Sequence, residues 1–186
     1  RMLAKHYNWE AKFEKVVNNP YLEDYYKDIR RWSFCLEVFF LKERFKDILA
    51  ISDSKKTVIQ DRSIFEGVYV FAKNNHDQGT ISDRDFRTYM ELFEQMMSIA
   101  KTPDINHLVA NIQKRGRDYE QSIQLDYLKG LNQRYEHFIY EDYPGKVLTI
   151  DVNNMDYEHN PQDFRFITDK IDSLLYGLFP LEEEKE

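Results

Sequence analysis

The chain has 186 residues, of which 42% are hydrophobic and 32% charged, a balance that excludes an intrinsically disordered segment and allows one domain with a buried core. Its 26 basic residues against 33 acidic ones give a net charge of −7, which argues against a non-specific nucleic-acid binder. The single cysteine, Cys35, excludes an internal disulfide and, with no zinc-ligand spacing around it, a structural zinc site. A lone thiol suits a reducing cytoplasm, and neither a membrane-length apolar run nor a signal peptide is read.

In chain order, residues 1–8 read as the tail of a helix, and "AKFEKVV" (11–17) as a short strand rich in β-branched residues. "NNPYLEDYYKDIRRW" starts a helix, with Asn19 as its cap, Pro20 at the first helical position, and Glu23 and Asp24 at the positive end. Phe34, Val38, Leu41, Phe45, Ile48 and Leu49 then recur at helical spacing as far as "SDSKK". "TVIQD" (57–61) is a second strand, and "RSIFEGVYVFAKNN" turns helical at once. A loop around Gly79 leads to a helix with Ser82 and Asp85 as a capping pair. After "KTPDI", "NHLVANIQK" reads as another helix, followed by a cationic loop. "IQLDYLKGLNQRYEHFIYEDY" is helical up to Pro144, "KVLTIDV" (146–152) is a third strand, and the last helix opens near Pro161. Strands alternating with helices predict an α/β fold with a parallel sheet. The alternation fails ahead of Arg1 and between Ser98 and His107, which predicts that about two strands of the sheet are not in the sequence.

Three stretches carry chemistry. "DRS" (61–63) sets Asp61 and Arg62 at the carboxyl end of a strand, where open α/β folds bind ligands. They either hold Mg²⁺ and phosphate or form a strand-end salt bridge. Glu14, midway to the end of the first strand, is either a general base for a hydroxyl or an exposed strand residue. In "KRGRDYEQ" (114–121), Gly116 lets Arg115 and Arg117 converge on one anion, as on a mobile lid; the alternative is a solvated helix end. With 13 Tyr and 13 Phe, the chain also has rings to spare for a core or for stacking on a planar ligand.

From Met2 to about Phe179 the chain resembles the deoxynucleoside kinase family, close to the bacterial deoxyadenosine and deoxyguanosine kinases. The resemblance rests on "FEKVVNNPYLEDYY", "RRWSFCLEVFFLKERF", "DRSIFEGVYVFAKN", "KRGRDYEQSIQLDYL" and "YEHFIYEDYPGKVLTIDV". It implies a three-layer, parallel-sheet P-loop kinase fold formed as one domain over residues 1–186, with a helical lid at about 114–122. It implies ATP-dependent phosphorylation of the 5′-hydroxyl of a deoxynucleoside, purines favoured, with Mg²⁺ and as a cytoplasmic homodimer that binds neither nucleic acid nor membrane. Glu14 matches the family's carboxylate base, although Lys15 stands where a proline is usual. Asp61 and Arg62 match the acid and arginine beside Mg²⁺ and the reacting hydroxyl. Tyr26 and Glu120 match the pair that holds the sugar 3′-hydroxyl. Glu37 falls where many members read the base edge with glutamine, Arg44 matches an arginine lining the base pocket, and Phe71 matches a stacking aromatic. Gly67 falls where several relatives have a base-reading aspartate. Arg115 and Arg117 match lid arginines that hold donor phosphates. The sequence contains no G-x-x-x-x-G-K-[ST] phosphate loop. Either segments of an ordinary kinase lie outside the sequence, or the chain is a reduced, non-catalytic variant that binds nucleosides or acts as a scaffold.

Overall fold

The computed structural model describes residues 1–14, 18–100, 107–110, 125–143 and 146–177. The chain forms two compact units, Arg1–Asp104 with Gly116–Pro144, and Ile105–Arg115 with Gly145–Glu186.

In the first unit, helix α1 (Met2–Tyr7) leads into strand β1 (Glu10–Lys12). β1 pairs in parallel with β2 (Val58–Gln60) in the register Glu10↔Val58, Ala11↔Ile59, Lys12↔Gln60. The expected helix after Asn19 divides in two. Asn19 Oδ1 accepts from the Tyr21 N–H at 2.9 Å and closes a turn, so α2 (Leu22–Lys27) begins beyond Pro20 rather than at it. Asp28 then leaves the helical region (φ −147°, ψ 85°), and its side chain accepts from the Arg31 N–H at 3.0 Å, which caps α3 (Ile29–Ser52). A polar residue able to satisfy an orphan donor thus starts a new helix at a new angle.

α4 (Ile64–Glu66) opens on a capping box: Ser63 Oγ accepts from the Glu66 N–H, and Glu66 Oε2 accepts from the Ser63 N–H at 2.6 Å. The chain runs on as a π-helical stretch, Gly67–Ala72, into α5 (Lys73–Asp77). Ser82 Oγ accepts from the Asp85 N–H at 3.2 Å and caps α6 (Asp83–Ile99), the expected pairing. α7 (Leu125–His137) continues through a second π-helical turn, Phe138–Asp142. Leu41, Ile48, Ile64, Val68, Ala72, Tyr89 and Phe93 form the core where α3, the first π-helical stretch and α6 meet. Leu41 is 1% exposed, so Leu41→Ala removes buried methyl groups from a site with no room to collapse. The expected loss is about 2–5 kcal/mol, read in calorimetry as a fall in Tm of roughly 2–4 °C for each kcal/mol. An unchanged Tm would contradict this placement of the core.

The second unit corrects the reading of "NHLVANIQK" as a helix. His107–Ala110 is a strand, β3, paired in parallel with β4 (Lys146–Thr149) from His107↔Lys146 to Ala110↔Thr149. A four-residue apolar run has no period that separates strand from helix, and the parallel partner decides it. One of the two strands expected to be missing is therefore present. α8 (Pro161–Tyr176) starts on Asn160, whose Oδ1 accepts from the Gln162 N–H, and ends at Gly177 with φ +63°. Among the described residues, no helix is long and apolar enough to cross a membrane.

Candidate functional site

The register of β1 and β2 builds the site. Asp61 donates its N–H to the Lys12 carbonyl at 2.8 Å, which carries the parallel pairing one step beyond β2. Extending the Lys12↔Gln60 register by two residues sets Glu14 opposite Arg62, on one side of the pair. Arg62 turns sharply there, with φ +67°, a left-handed conformation that costs a non-glycine residue about 1–2 kcal/mol. Its guanidinium lies 4.3 Å over the Phe71 ring and donates from Nη1 to Glu14 Oε2 at 3.0 Å. Side-chain contacts thus hold a strained backbone turn in place.

The other oxygen of Glu14 accepts from Nη2 of Arg44, which comes from α3 and is 5% exposed. One carboxylate is therefore shared between two guanidinium groups from different elements. Gly67 makes the arrangement possible: a Cβ there would sit 2.7 Å from Arg44 Nη1. Arg44 occupies the space a side chain at position 67 would need.

Seven residues before Arg44, two turns along the same face of α3, Glu37 is 4% exposed. Its Oε1 accepts from Asn75 Nδ2 of α5 at 2.9 Å. Burial, partly offset by Arg44 and reinforced by Glu14, pushes the Glu37 carboxyl up to about 7. Glu66 is also held above its ordinary value by burial, against the Ser63 hydrogen bonds that lower it, and the Tyr135 hydroxyl donates to its Oε1 at 3.5 Å. Tyr127 is pushed up to about 12, chiefly by burial and then by the Glu37 charge. An ion pair from Arg134 to Asp77 ties α7 to α5, and Gly130 lets the helices approach: a Cβ there would meet Asn74 Oδ1 at 2.6 Å.

The state of Glu37 has a consequence for stability. Below about pH 4.5 it is protonated in both the folded and the unfolded chain. As pH rises towards 7, the unfolded chain releases that proton while the folded chain keeps it, so stability falls across this window. Glu37→Gln removes the loss. Its gain over the wild type should grow from near zero at pH 4 to on the order of 3 kcal/mol at pH 8, measured by denaturant unfolding. A pH-independent difference would contradict the burial of an ionisable carboxyl.

Of the residues expected from sequence, Glu14, Arg44 and Arg62 come into direct contact, Phe71 lies beneath Arg62, and Glu37 stands two turns from Arg44. Asp61 is exposed at the end of β2, beside the Arg62 charge. Tyr26, on α2, is half-buried with its ring edge-on to Tyr25 at 5.4 Å. Arg115, Arg117 and Glu120 lie outside the described residues, as does the lid at about 114–122. Sequence reasoning missed Asn75, Glu66, Tyr127 and Tyr135. "NN" inside a helical run was the one available signal for Asn75, because asparagine is a poor helix former. Among the described residues, no group of three or more His, Cys, Asp or Glu is arranged to hold a metal. One exposed aspartate still fits Mg²⁺, which keeps most of its waters and takes its other ligands from substrate phosphates. A shallow depression of about 220 Å³ lined by Met155, Asp156, Tyr157 and Glu158, in the second unit, contains none of these groups.

The family model described as deoxynucleoside kinase matches residues 1–176. A deoxyadenosine/deoxycytidine kinase of Bacillus subtilis is 34% identical, over 95% of this chain and 86% of its own length. A deoxyguanosine kinase of the same organism is 30% identical, over 94% of this chain and 89% of its own. A solved deoxyadenosine kinase from M. mycoides with bound dATP superposes with a TM-score of 0.76 at 26% identity, covering 92% of this chain and 90% of that one.

Proposed function

Starting from the chain's membership of the deoxynucleoside kinase family, and hence from phosphorylation of deoxynucleosides, we propose that it transfers the γ-phosphoryl group of ATP to the 5′-hydroxyl of a purine deoxynucleoside. The observation that carries this reading is the Glu14 carboxylate held between Arg44 and Arg62 at the carboxyl end of a parallel strand pair. Phosphoryl transfer asks a protein mainly for positioning and charge neutralisation, and the site supplies both. Glu14 takes the proton from the 5′-hydroxyl. The 5′-oxygen forms its bond to the γ-phosphorus as the bond from that phosphorus to the bridging oxygen of ADP breaks. Arg62 orients Glu14 and offsets charge on the transferred group. Phe71 stacks on the base, Glu37 and Arg44 face its edge, and Tyr26 with Glu120 holds the sugar 3′-hydroxyl. Arg115 and Arg117 bind the donor phosphates. Asp61 would hold Mg²⁺, which, when bound, neutralises phosphate charge.

Purine preference is supported by relatives named for deoxyadenosine and deoxyguanosine. ATP as donor is supported by the solved relative that binds dATP. Action as a cytoplasmic homodimer follows the family resemblance. The comparisons lend no support to the non-catalytic alternative, since the relatives named above are all kinases.

Incubation of the full chain with Mg-ATP and each of the four common deoxynucleosides tests the reading. The expected product is the 5′-monophosphate, identified by mass and ³¹P NMR, with kcat/KM higher for the purines than for thymidine. Phosphate appearing on the 3′-oxygen, or no transfer to any of the four, would overturn it.

A further inference from the structure

The strained turn at Arg62 is clamped on both sides. Ahead of it, the Asp61 N–H is tied to the Lys12 carbonyl at 2.8 Å. Behind it, the Ser63 N–H donates to Glu66 Oε2 at 2.6 Å. Glu66 is 7% exposed, and its capping role engages only that one oxygen. The other, Oε1, accepts from the Tyr135 hydroxyl at 3.5 Å, a contact between residues 69 apart in sequence that joins α7 to α4. The ring of the same tyrosine stands edge-on to Phe71, with centroids 6.0 Å apart and planes at 88°. Phe71 in turn lies under the Arg62 guanidinium. One side chain of α7 therefore reaches both parts of Arg62: the backbone through Glu66 and Ser63, and the guanidinium through Phe71.

We propose that Tyr135 and Glu66 are positioning residues that hold Arg62 against Glu14. This rests on the reading that Arg62 orients Glu14 for phosphoryl transfer, and assigns what orients Arg62.

A non-glycine residue at φ +67° keeps that conformation only where its surroundings impose it. The guanidinium stands at the end of a long side chain, so a small rotation of the residue 62 backbone carries it far from Glu14 Oε2, to which it donates at 3.0 Å. Rates of positioned reactions fall steeply with such displacements. Burial, and after it the Glu66 charge, push the Tyr135 hydroxyl up, so it keeps its proton and remains a donor near neutral pH. Its helix is itself anchored, through the ion pair from Arg134 to Asp77 of α5. The hydroxyl and the ring have separable parts: packing against Phe71 needs only the ring, while the link to Glu66 needs the oxygen.

The test compares the full-length wild type with Tyr135→Phe, Glu66→Gln, Glu66→Met and the double variant Glu66→Met with Tyr135→Phe. Each is read by kcat and KM with Mg-ATP, by Tm, and by NMR of the exchange of the Arg62 Nε–H with water. Tyr135→Phe keeps the ring and loses the hydroxyl. Its kcat should fall about three- to tenfold, the kinetic equivalent of one hydrogen bond, with KM for the nucleoside unchanged. Glu66→Met releases the Ser63 amide as well and should lower kcat on the order of 100-fold. Glu66→Gln retains an oxygen for that amide and an NH₂ group for the Tyr135 oxygen, and should recover most of this loss. Adding Tyr135→Phe to Glu66→Met should change kcat less than about twofold, because the partner of the hydroxyl is already gone. Arg62 Nε–H exchange should quicken severalfold in Tyr135→Phe and Glu66→Met and stay slow in Glu66→Gln.

Wild-type kcat in Tyr135→Phe, a fall in its Tm with kcat of the folded protein preserved, or an equal loss from Tyr135→Phe with and without Glu66 overturns the inference. If Glu66→Met does not fold, Tyr135→Phe and Glu66→Gln still decide it: a kcat loss in Glu66→Gln as large as or larger than in Tyr135→Phe overturns it. No product from the wild type would reject phosphoryl transfer. Arg62 exchange needs no turnover and then decides alone: quickening in Tyr135→Phe but not in Glu66→Gln supports the inference, and the same exchange in all variants overturns it.

Discussion

Glu14→Gln is expected to lower kcat for every accepted deoxynucleoside by about 10²–10⁴-fold, the usual contribution of a positioned general base. The substitution keeps the shape of the side chain and an oxygen able to accept from one of the two guanidinium groups, but it takes away the proton acceptor. KM for the nucleoside should change little, because the base and sugar contacts proposed above do not involve Glu14. This split matters, since Glu14 also pairs with Arg44 and Arg62 and a purely structural role would appear as lost stability with kcat preserved in the folded fraction. Steady-state kinetics on protein whose fold is checked by circular dichroism separates the two. Near-normal kcat would remove Glu14 from the proposed chemistry.

Arg44→Met has the largest expected effect on stability. Arg44 neutralises Glu14 directly and acts electrostatically on Glu37, and all three side chains are largely removed from water. Removing one partner of a buried pair leaves the other charge uncompensated, at a cost of about 3–5 kcal/mol. The loss should depend on pH in a definite direction. Arg44 is the main influence lowering the Glu37 carboxyl, so without it Glu37 holds its proton to higher pH in the folded chain. The deficit relative to the wild type is then greatest above pH 7 and shrinks as the pH falls towards 5. Arg44→Lys keeps the charge but loses the forked geometry, and should recover part of the stability. Denaturant unfolding at pH 5, 7 and 8 checks this; equal stability of Arg44→Met and wild type at pH 8 would show that Arg44 does not balance the carboxylates.

The parts of this site that sequence revealed are the local ones. Asp61 and Arg62 were legible because a β-rich run ends in an acid and an arginine immediately before a helix start, and Glu14 because it is the acid within another such run. Their meeting was not legible, since it depends on the register Lys12↔Gln60 carried two residues further. The Arg44 contact was hidden more deeply. It joins residues 30 apart in sequence and needs the absence of a side chain at Gly67, which from sequence reads only as a missing aspartate. β3 escaped because His107–Ala110 is too short to show a period, and its identity as a strand comes from pairing with β4. The break at Asp28 was missed for the opposite reason: apolar periodicity runs through it, while one side-chain hydrogen bond to Arg31 restarts the helix. The π-helical stretch Gly67–Ala72 is apolar nearly throughout, so no polar face betrays the change of winding that accompanies the glycine.

A crystal structure of the full chain with a bound purine deoxynucleoside tests the central claim most directly. The account predicts the 5′-oxygen within about 2.6–3.2 Å of a Glu14 carboxylate oxygen, with Arg62 still paired to that residue. A nucleoside bound with its 5′-hydroxyl turned away from Glu14, beyond the reach of a hydrogen bond or a single bridging water, would contradict it.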